Sequence, residues 1–319
     1  MNESQLAAIG VAQESVACNL CGGYETKELY RASDYRFDLD EREWPVVQCI
    51  RCSLAYLNPR PTPDTIGFYY PRAYYEGRSP KTAHVRYEAQ NAYLNKLHAG
   101  RLLDIGCANG DWISILSRRG WDVAGLEPSP HATNPHRLDI RRGRFPGSVG
   151  FPDQSFDVIT AWAVFEHLHD PLSAFLFASK LLRPGGTLII LVTNIRSVFS
   201  RYSYQEDIPR HLYFFSERTL RAFGERTGLT LDCVNHPTDL YGGSGRGALR
   251  LRVYQAFGWT RGEYFRHMRL DRIGRLRASP LITSLGIAAG LVEKLVLSDW
   301  LVRRLRINGH IVAQFRKHG

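Results

Sequence analysis

Four cysteines, Cys18, Cys21, Cys49 and Cys52, form two C-x2-C pairs separated by 27 residues. Two residues between cysteines let both thiolates of a turn face one point, at about 2.3 Å from a metal, and two such turns complete a tetrahedron. Gly22, Gly23 and Ser53 follow the pairs and suit the tight backbone of such turns. The competing readings are two disulfides or four unrelated core thiols. Met1–Ala17 has no Lys or Arg and no long apolar run, so it does not read as a secretory leader, and disulfides are disfavoured. A structural zinc site with no open position for catalysis is expected. Cys107 and Cys233 stand alone in apolar contexts and read as core residues.

A second constellation begins at Arg101. The stretch RLLDIGCAN (Arg101–Asn109) is an apolar strand entering a glycine turn, Ile113 and Leu116 continue as a helix, and WDVAGLE (Trp121–Glu127) is a second buried strand closing on an acid. Strand, glycine loop, helix, strand and terminal acid make a nucleotide-binding unit. Asp104, Gly106 and Gly110 give D-x-G-x-x-x-G with Ala108 inside it, so the G-x-G-x-x-G turn of a dinucleotide site is not spelled out.

With these residues the chain resembles the class I S-adenosylmethionine-dependent methyltransferases. FPDQSFDVITAWAVFEHLHDP (Phe151–Pro171) resembles the family's fourth strand and its E-H-[LV]-x-D-P ending, and LLRPGGTLII (Leu181–Ile190) its turn into the fifth strand. The cysteine pairs, N-P-R-P from Asn58, and DIPRHLYFFS (Asp207–Ser216) are similar to the zinc-bearing methyltransferases of sugar, polysaccharide and natural-product pathways. The resemblance implies an α/β, Rossmann-like seven-stranded sheet with S-adenosylmethionine at the carboxyl ends of its strands. Gly106 and Gly110 then let the backbone approach the methionine part of the cofactor, beside Cys107, and Glu127 accepts both ribose hydroxyls. Asp104 orients the loop or the cofactor's ammonium, and Trp162 and Ala163 line the sulfonium side. Relatives place an acid for the adenine amine after the third strand; here the stretch is RRGRFPGSVG (Arg141–Gly150), and Phe145 is expected to stack on adenine instead.

Methyl transfer from a sulfonium needs a base only where the acceptor must lose a proton. Glu166, His167, His169 and His211 are the candidates, with helix or loop capping the competing role for Glu166 and His167. His211 is preferred as base from its place in the loop after the fifth strand and from histidine's titration near neutral pH. Arg210 beside it is expected to clamp a substrate phosphate or diphosphate. The aromatic run Phe68–Tyr75 reads as packing between modules, with substrate stacking the alternative.

These elements divide the chain into a flexible N-terminus (1–17), a zinc-binding module (18–80), the cofactor-binding domain (81–244), a helical insertion (245–308) and the last strand of the sheet (309–319). In a 319-residue chain, 44% hydrophobic, 12% aromatic and 23% charged residues exclude disorder, collagen-like repeats and coiled coil. The formal charge of +10 is confined: from Gly245 onward there are 15 Lys/Arg against 4 Asp/Glu, and before it 26 against 27. The insertion also has the longest apolar run, Leu281–Val292, too short to span a bilayer. Its arginines at 266, 269, 272, 275, 277, 303, 304 and 306, together with Trp300, suit an anionic membrane surface; a lid or dimer face that buries the apolar stripe is the alternative. A cytoplasmic protein, in peripheral contact with the inner face of the membrane or free of it, is expected. The resemblance implies a small-molecule or lipid- or nucleotide-linked sugar as the substrate. Ribosomal RNA methylation is the competing function, but it would spread positive charge over the zinc module and cofactor rim.

Overall fold

The computed structural model describes residues 10–75, 80–147, 150–197, 207–241, 247–270 and 279–318, with backbone alone at 75, 80–82, 266 and 268–270. Arg272, Arg275, Arg277, most of the glycine-rich Tyr241–Gly247 and the side chains of Arg266 and Arg269 therefore lie outside the described residues.

The N-terminal module is a four-stranded antiparallel sheet ordered β11-β4-β3-β2. Here β2 is Thr26–Ala32, β3 Trp44–Cys49, β4 Ala55–Leu57 and β11 Tyr213–Phe214. The last of these comes from far down the chain: Tyr213 pairs with Tyr56 and Phe214 with Ala55. The Asp207–Ser216 segment is thus the outer strand of the module as well as part of the next domain. Ahead of the module, β1 (Gln13–Glu14) pairs with β5 (Arg60–Pro61), and Glu14 meets the Arg60 guanidinium at 2.8 Å. Gln13 and Glu14, inside the segment expected to be a flexible N-terminus, are thus paired with the chain that follows the module's last hairpin.

The second sheet has seven strands in the order β12-β13-β10-β9-β6-β7-β8. They are β6 (Arg101–Ile105), β7 (Asp122–Glu127), β8 (Asp139–Arg142), β9 (Phe156–Trp162), β10 (Leu182–Thr193), β12 (Leu229–Asn235) and β13 (His310–Lys317). All neighbours are parallel except β13, which runs antiparallel to both β10 and β12. The strands buried on both faces are the continuous apolar runs of the sequence, as a covered parallel sheet requires. No helix forms between β7 and β8, where Pro128, Pro130 and Pro135 remove backbone donors. Ser216 starts the Glu217–Arg226 helix with a reciprocal cap to Thr219. Cys233 is exposed, not in the core, because the pairing of β12 shifts between Leu231 and Cys233.

One face of this sheet shares a core with the module, in which Trp44, Tyr56 and Leu57 join Phe165, Phe175, Phe223 and Phe315. Polar ties reinforce the contact: Asn19 donates to Asp170 and accepts from the Leu172 amide, at 2.9 and 2.8 Å. The strongest tie is buried. Arg210 donates to Asp34 at 2.7 Å and to the Tyr69 carbonyl at 3.0 Å, with neither charged side chain exposed. Asp34→Ala is expected to cost about 3–5 kcal/mol, because it removes the nearest carboxylate from a fully buried guanidinium. A denaturant midpoint unchanged from the parent would refute this.

Candidate active site

The carboxyl edge of the parallel strands carries two clusters. In the first, β6 hands its chain to the glycine loop. Gly106 sits at φ +77°, and a Cβ there would lie 2.7 Å from Val164 Cγ2. Gly110, at φ +79°, opens the Asp111–Arg118 helix. Only glycine takes both the left-handed backbone and the close approach without strain. Asp104 faces Thr160 across the β6–β9 pairing, and the Thr160 hydroxyl donates to Asp104 Oδ1 at 2.7 Å. Burial, with Glu127 adding to it, pushes the Asp104 carboxyl up to about 8. A cationic group arriving beside it would favour the carboxylate again.

Glu127 ends β7 with its carboxylate held at both oxygens: the Ala108 amide donates to Oε2 and the Ser129 amide to Oε1, each at 2.8 Å. Each carboxylate oxygen has a further lone pair, so the group is oriented while still able to accept from a diol. Cys107 is a buried thiol pushed up by burial. It is fitted against Gly125, where a Cβ would come within 2.5 Å of its Sγ. Ala163 stands at φ +58° immediately after β9. The Trp162 indole packs into the core on Trp112 and Tyr93, at ring distances of 5.6 and 5.8 Å. Phe145 is buried between Phe165 and Phe177, at 6.2 and 5.5 Å. Both contacts are tilted or edge-on packing contacts of the Phe145 ring.

The second cluster adjoins the first through Val164. Glu166, His167 and His211 bring ligand-type atoms within 4.8 Å of one another. Glu166 is 1% exposed and neither carboxyl oxygen has a hydrogen-bond partner; burial pushes it up to about 8. His167 Nδ1 lies 3.0 Å from the Arg210 carbonyl and 3.1 Å from the Tyr70 hydroxyl. The carbonyl can only accept, which assigns the proton to Nδ1 and leaves Nε2 with its lone pair. Burial lowers His167 to about 4. His211 packs its ring on that of His167 at 4.6 Å, and burial together with His167 holds it well below the ordinary histidine value. Asp207 is kept ionised against its own burial by the Arg36 guanidinium, with Arg210 adding to it.

Two assignments change here. Arg210 does not reach toward a substrate phosphate, since its guanidinium is committed to Asp34 and Tyr69 inside the protein. His169 is docked on the Pro61 carbonyl at 3.0 Å, away from the cluster. Two residues were missed. His310 is buried, lowered to about 4 by burial, and lowers His211 in turn. Its signal was available: the antiparallel last strand must begin at the carboxyl edge, opposite Thr193. Tyr70 leaves the aromatic run to meet His167, while Tyr69 packs on Trp44 and Phe68.

In the module, Cys18 and Cys52 lie 3.4 Å apart and Cys21 and Cys49 3.5 Å apart, with all four Sγ atoms within 4.8 Å of one another. Gly22 and Ser53 both take positive φ, at +71° and +68°. The two turns close alike, Gly22 N–H onto the Cys18 carbonyl and Ser53 N–H onto that of Cys49. A tetrahedron of thiolates about a thiophilic ion has this compactness, and two disulfides would need different pair distances.

A sheet in this order, with a glycine loop and an acid at its carboxyl edge, is the fold of the class I S-adenosylmethionine-dependent methyltransferases. Residues 81–234 match the family described as "Methyltransferase domain", and that part of the chain is a methyltransferase domain of the S-adenosylmethionine-dependent kind. The chain is 30% identical over 107 residues to a ubiquinone biosynthesis O-methyltransferase of Xanthomonas campestris pv. campestris, covering 31% of this chain and 45% of that protein. The enzyme of the same name from Alkalilimnicola ehrlichii is 30% identical over 110 residues, 32% of this chain and 44% of that protein. The chain thus spans about half the length of the curated relatives it matches. Among solved structures, a SAM dependent methyltransferase from Archaeoglobus fulgidus superposes with a TM-score of 0.47 at 14% identity, over 79% of this chain and 99% of that one.

Proposed function

We propose that the protein transfers the methyl group of S-adenosylmethionine to a hydroxyl oxygen or activated carbon of a sugar, free or linked to a nucleotide or lipid carrier. The observation that carries this is the buried Glu166–His167–His211 cluster set against the cofactor loop through Val164. A site with two neutral histidines suits an acceptor that must lose a proton as it is methylated. In the step, the acceptor atom attacks the methyl carbon in line with sulfur and the carbon–sulfur bond breaks. S-adenosylhomocysteine leaves and the acceptor's proton passes to His211. Alignment of acceptor and sulfonium supplies much of the acceleration in such displacements. The sugar class rests on the resemblance of the cysteine module, N-P-R-P and DIPRHLYFFS to zinc-bearing methyltransferases of those pathways. The test is incubation with isotopically labelled S-adenosylmethionine and pools of nucleotide- and lipid-linked sugars, read by mass. Label entering ribosomal RNA and no sugar pool would overturn the reading.

The four cysteines hold one structural zinc in this proposal. Purified protein is expected to contain one equivalent of zinc, and Cys49→Ser to lose it and lower the melting temperature. Folding free energy supplied by such sites in isolated domains is about 10–16 kcal/mol at neutral pH, so the loss should be cooperative with the shared core. Metal-free protein with an unaltered melting profile would defeat the assignment.

A further inference from the structure

The Pro280–Val296 helix is built inside out. Its inward stripe is Gly286, Ala289, Gly290 and Glu293, the i, i+3, i+4, i+7 positions of one face. Added Cβ atoms at Gly286 and Gly290 would lie 2.7 Å from the Tyr254 ring and 2.6 Å from the Arg250 guanidinium. Glu293 accepts from the Gly247 and Ala248 amides at 2.9 and 3.0 Å, capping the Ala248–Ala256 helix. The small and acidic residues are therefore spent on internal packing. The outward face is apolar: Leu281, Leu285, Ile287, Val292 and Val296 are exposed, with Leu291 at 59% and Leu295 at 81%. Trp300 follows at 72% exposure. Soluble surfaces do not leave a contiguous face of this kind uncovered.

Topology fixes where the inserted segment leaves and rejoins the sheet. The insertion leaves the sheet at the carboxyl end of β12 and returns at the start of β13. Because β13 is antiparallel, both points lie on the edge that carries the glycine loop, Glu127 and Glu166. Its Arg261–Leu270 helix also stacks Phe265 on Tyr35 of the module, at 6.0 Å.

We propose that this face is a docking surface for an anionic lipid leaflet, on which the helix lies in the plane of the interface with the active-site edge toward the membrane. The charge selects this occupant. The insertion over 245–308 has 13 Lys/Arg and 4 Asp/Glu, and the exposed Lys294, Arg303 and Arg304 bracket the apolar face and Trp300. A second copy would bring two such basic segments together, whereas anionic headgroups complement them. An apolar face with basic flanks and an interfacial tryptophan is the pattern of a helix that lies on a membrane. No described helix is long and apolar enough to cross one.

The inference is independent of the acceptor proposed above. It is tested by co-sedimenting the full chain with phosphatidylglycerol and with phosphatidylcholine vesicles, at low and high salt. Binding to phosphatidylglycerol is expected to exceed that to phosphatidylcholine by about tenfold or more and to weaken with salt. The double variant Leu291→Glu/Leu295→Glu is expected to lose at least about tenfold in binding and to keep S-adenosylmethionine affinity, since both side chains project into solvent. Full chain that stays in solution with phosphatidylglycerol at low salt overturns the proposal, as does a double variant that binds like the parent. A dimer in light scattering that the double variant breaks, without vesicle binding, reassigns the face to a second copy and overturns it equally.

Discussion

His211→Ala is expected to lower turnover by about 10²–10⁴-fold, the usual contribution of a positioned general base, while S-adenosylmethionine binds as in the parent. The expectation combines a position and a protonation state. His211 stands two residues before the module's outer strand, with its own amide bonded to the Asp207 carbonyl and that of Leu212 to the Glu166 carbonyl, so its backbone is held from both sides. Burial keeps it neutral well below the ordinary histidine value, and a neutral ring is the form that can accept a proton. The sign follows: a histidine with a lowered value protonates only at lower pH, so kcat should hold as pH falls through 6.5 and decline further down. Glu166, pushed up to about 8, is neutral at physiological pH and ionises above it, adding a negative charge beside both histidines. Glu166→Gln should therefore largely keep the neutral-pH rate and remove a second inflection near 8. Full turnover by His211→Ala with normal cofactor binding would sink the base assignment.

The parts of this arrangement that were legible in the sequence are those written in local pattern. The strand at Arg101–Ile105, the loop at Gly106 and Gly110 and the terminal acid Glu127 follow one another within a single supersecondary unit, where periodicity and glycine placement carry the information. The last strand was legible too, as a short apolar run beginning at His310. What depended on distant partners was not. Arg210 stands in a polar, proline-marked loop and reads as a ligand group; its actual partner, Asp34, is in another module and nothing local announces it. Phe145 reads in the sequence as a ring for adenine, and its neighbour Phe177 comes only with the packing of the Pro171–Leu181 helix. The Pro280–Val296 helix shows the same limit: its apolar run was plain, but which face turned inward depended on Arg250 and Tyr254 meeting two glycines.

Glu127→Ala is expected to weaken S-adenosylmethionine by about 10²–10⁴-fold, with S-adenosylhomocysteine weakened in parallel because both share the ribose. Hydrogen bonds to a charged group contribute about 1.5–3 kcal/mol each, and about 1.4 kcal/mol is a tenfold change in affinity, so the two ribose hydroxyls account for that span. The carboxylate also fixes the loop that receives the cofactor, through the Ala108 and Ser129 amides. Removing it frees Ala108, which stands at φ +52° between the two loop glycines, and the ordering of that turn is then charged against binding. Glu127→Gln separates the contributions. The amide keeps one accepting oxygen and turns the other position into a donor that faces a backbone N–H, so one anchor is lost and one kept. Its affinity should fall between those of the alanine variant and the parent. Titration calorimetry on the three proteins gives the order, and alanine binding as tightly as glutamate would remove Glu127 from the cofactor site.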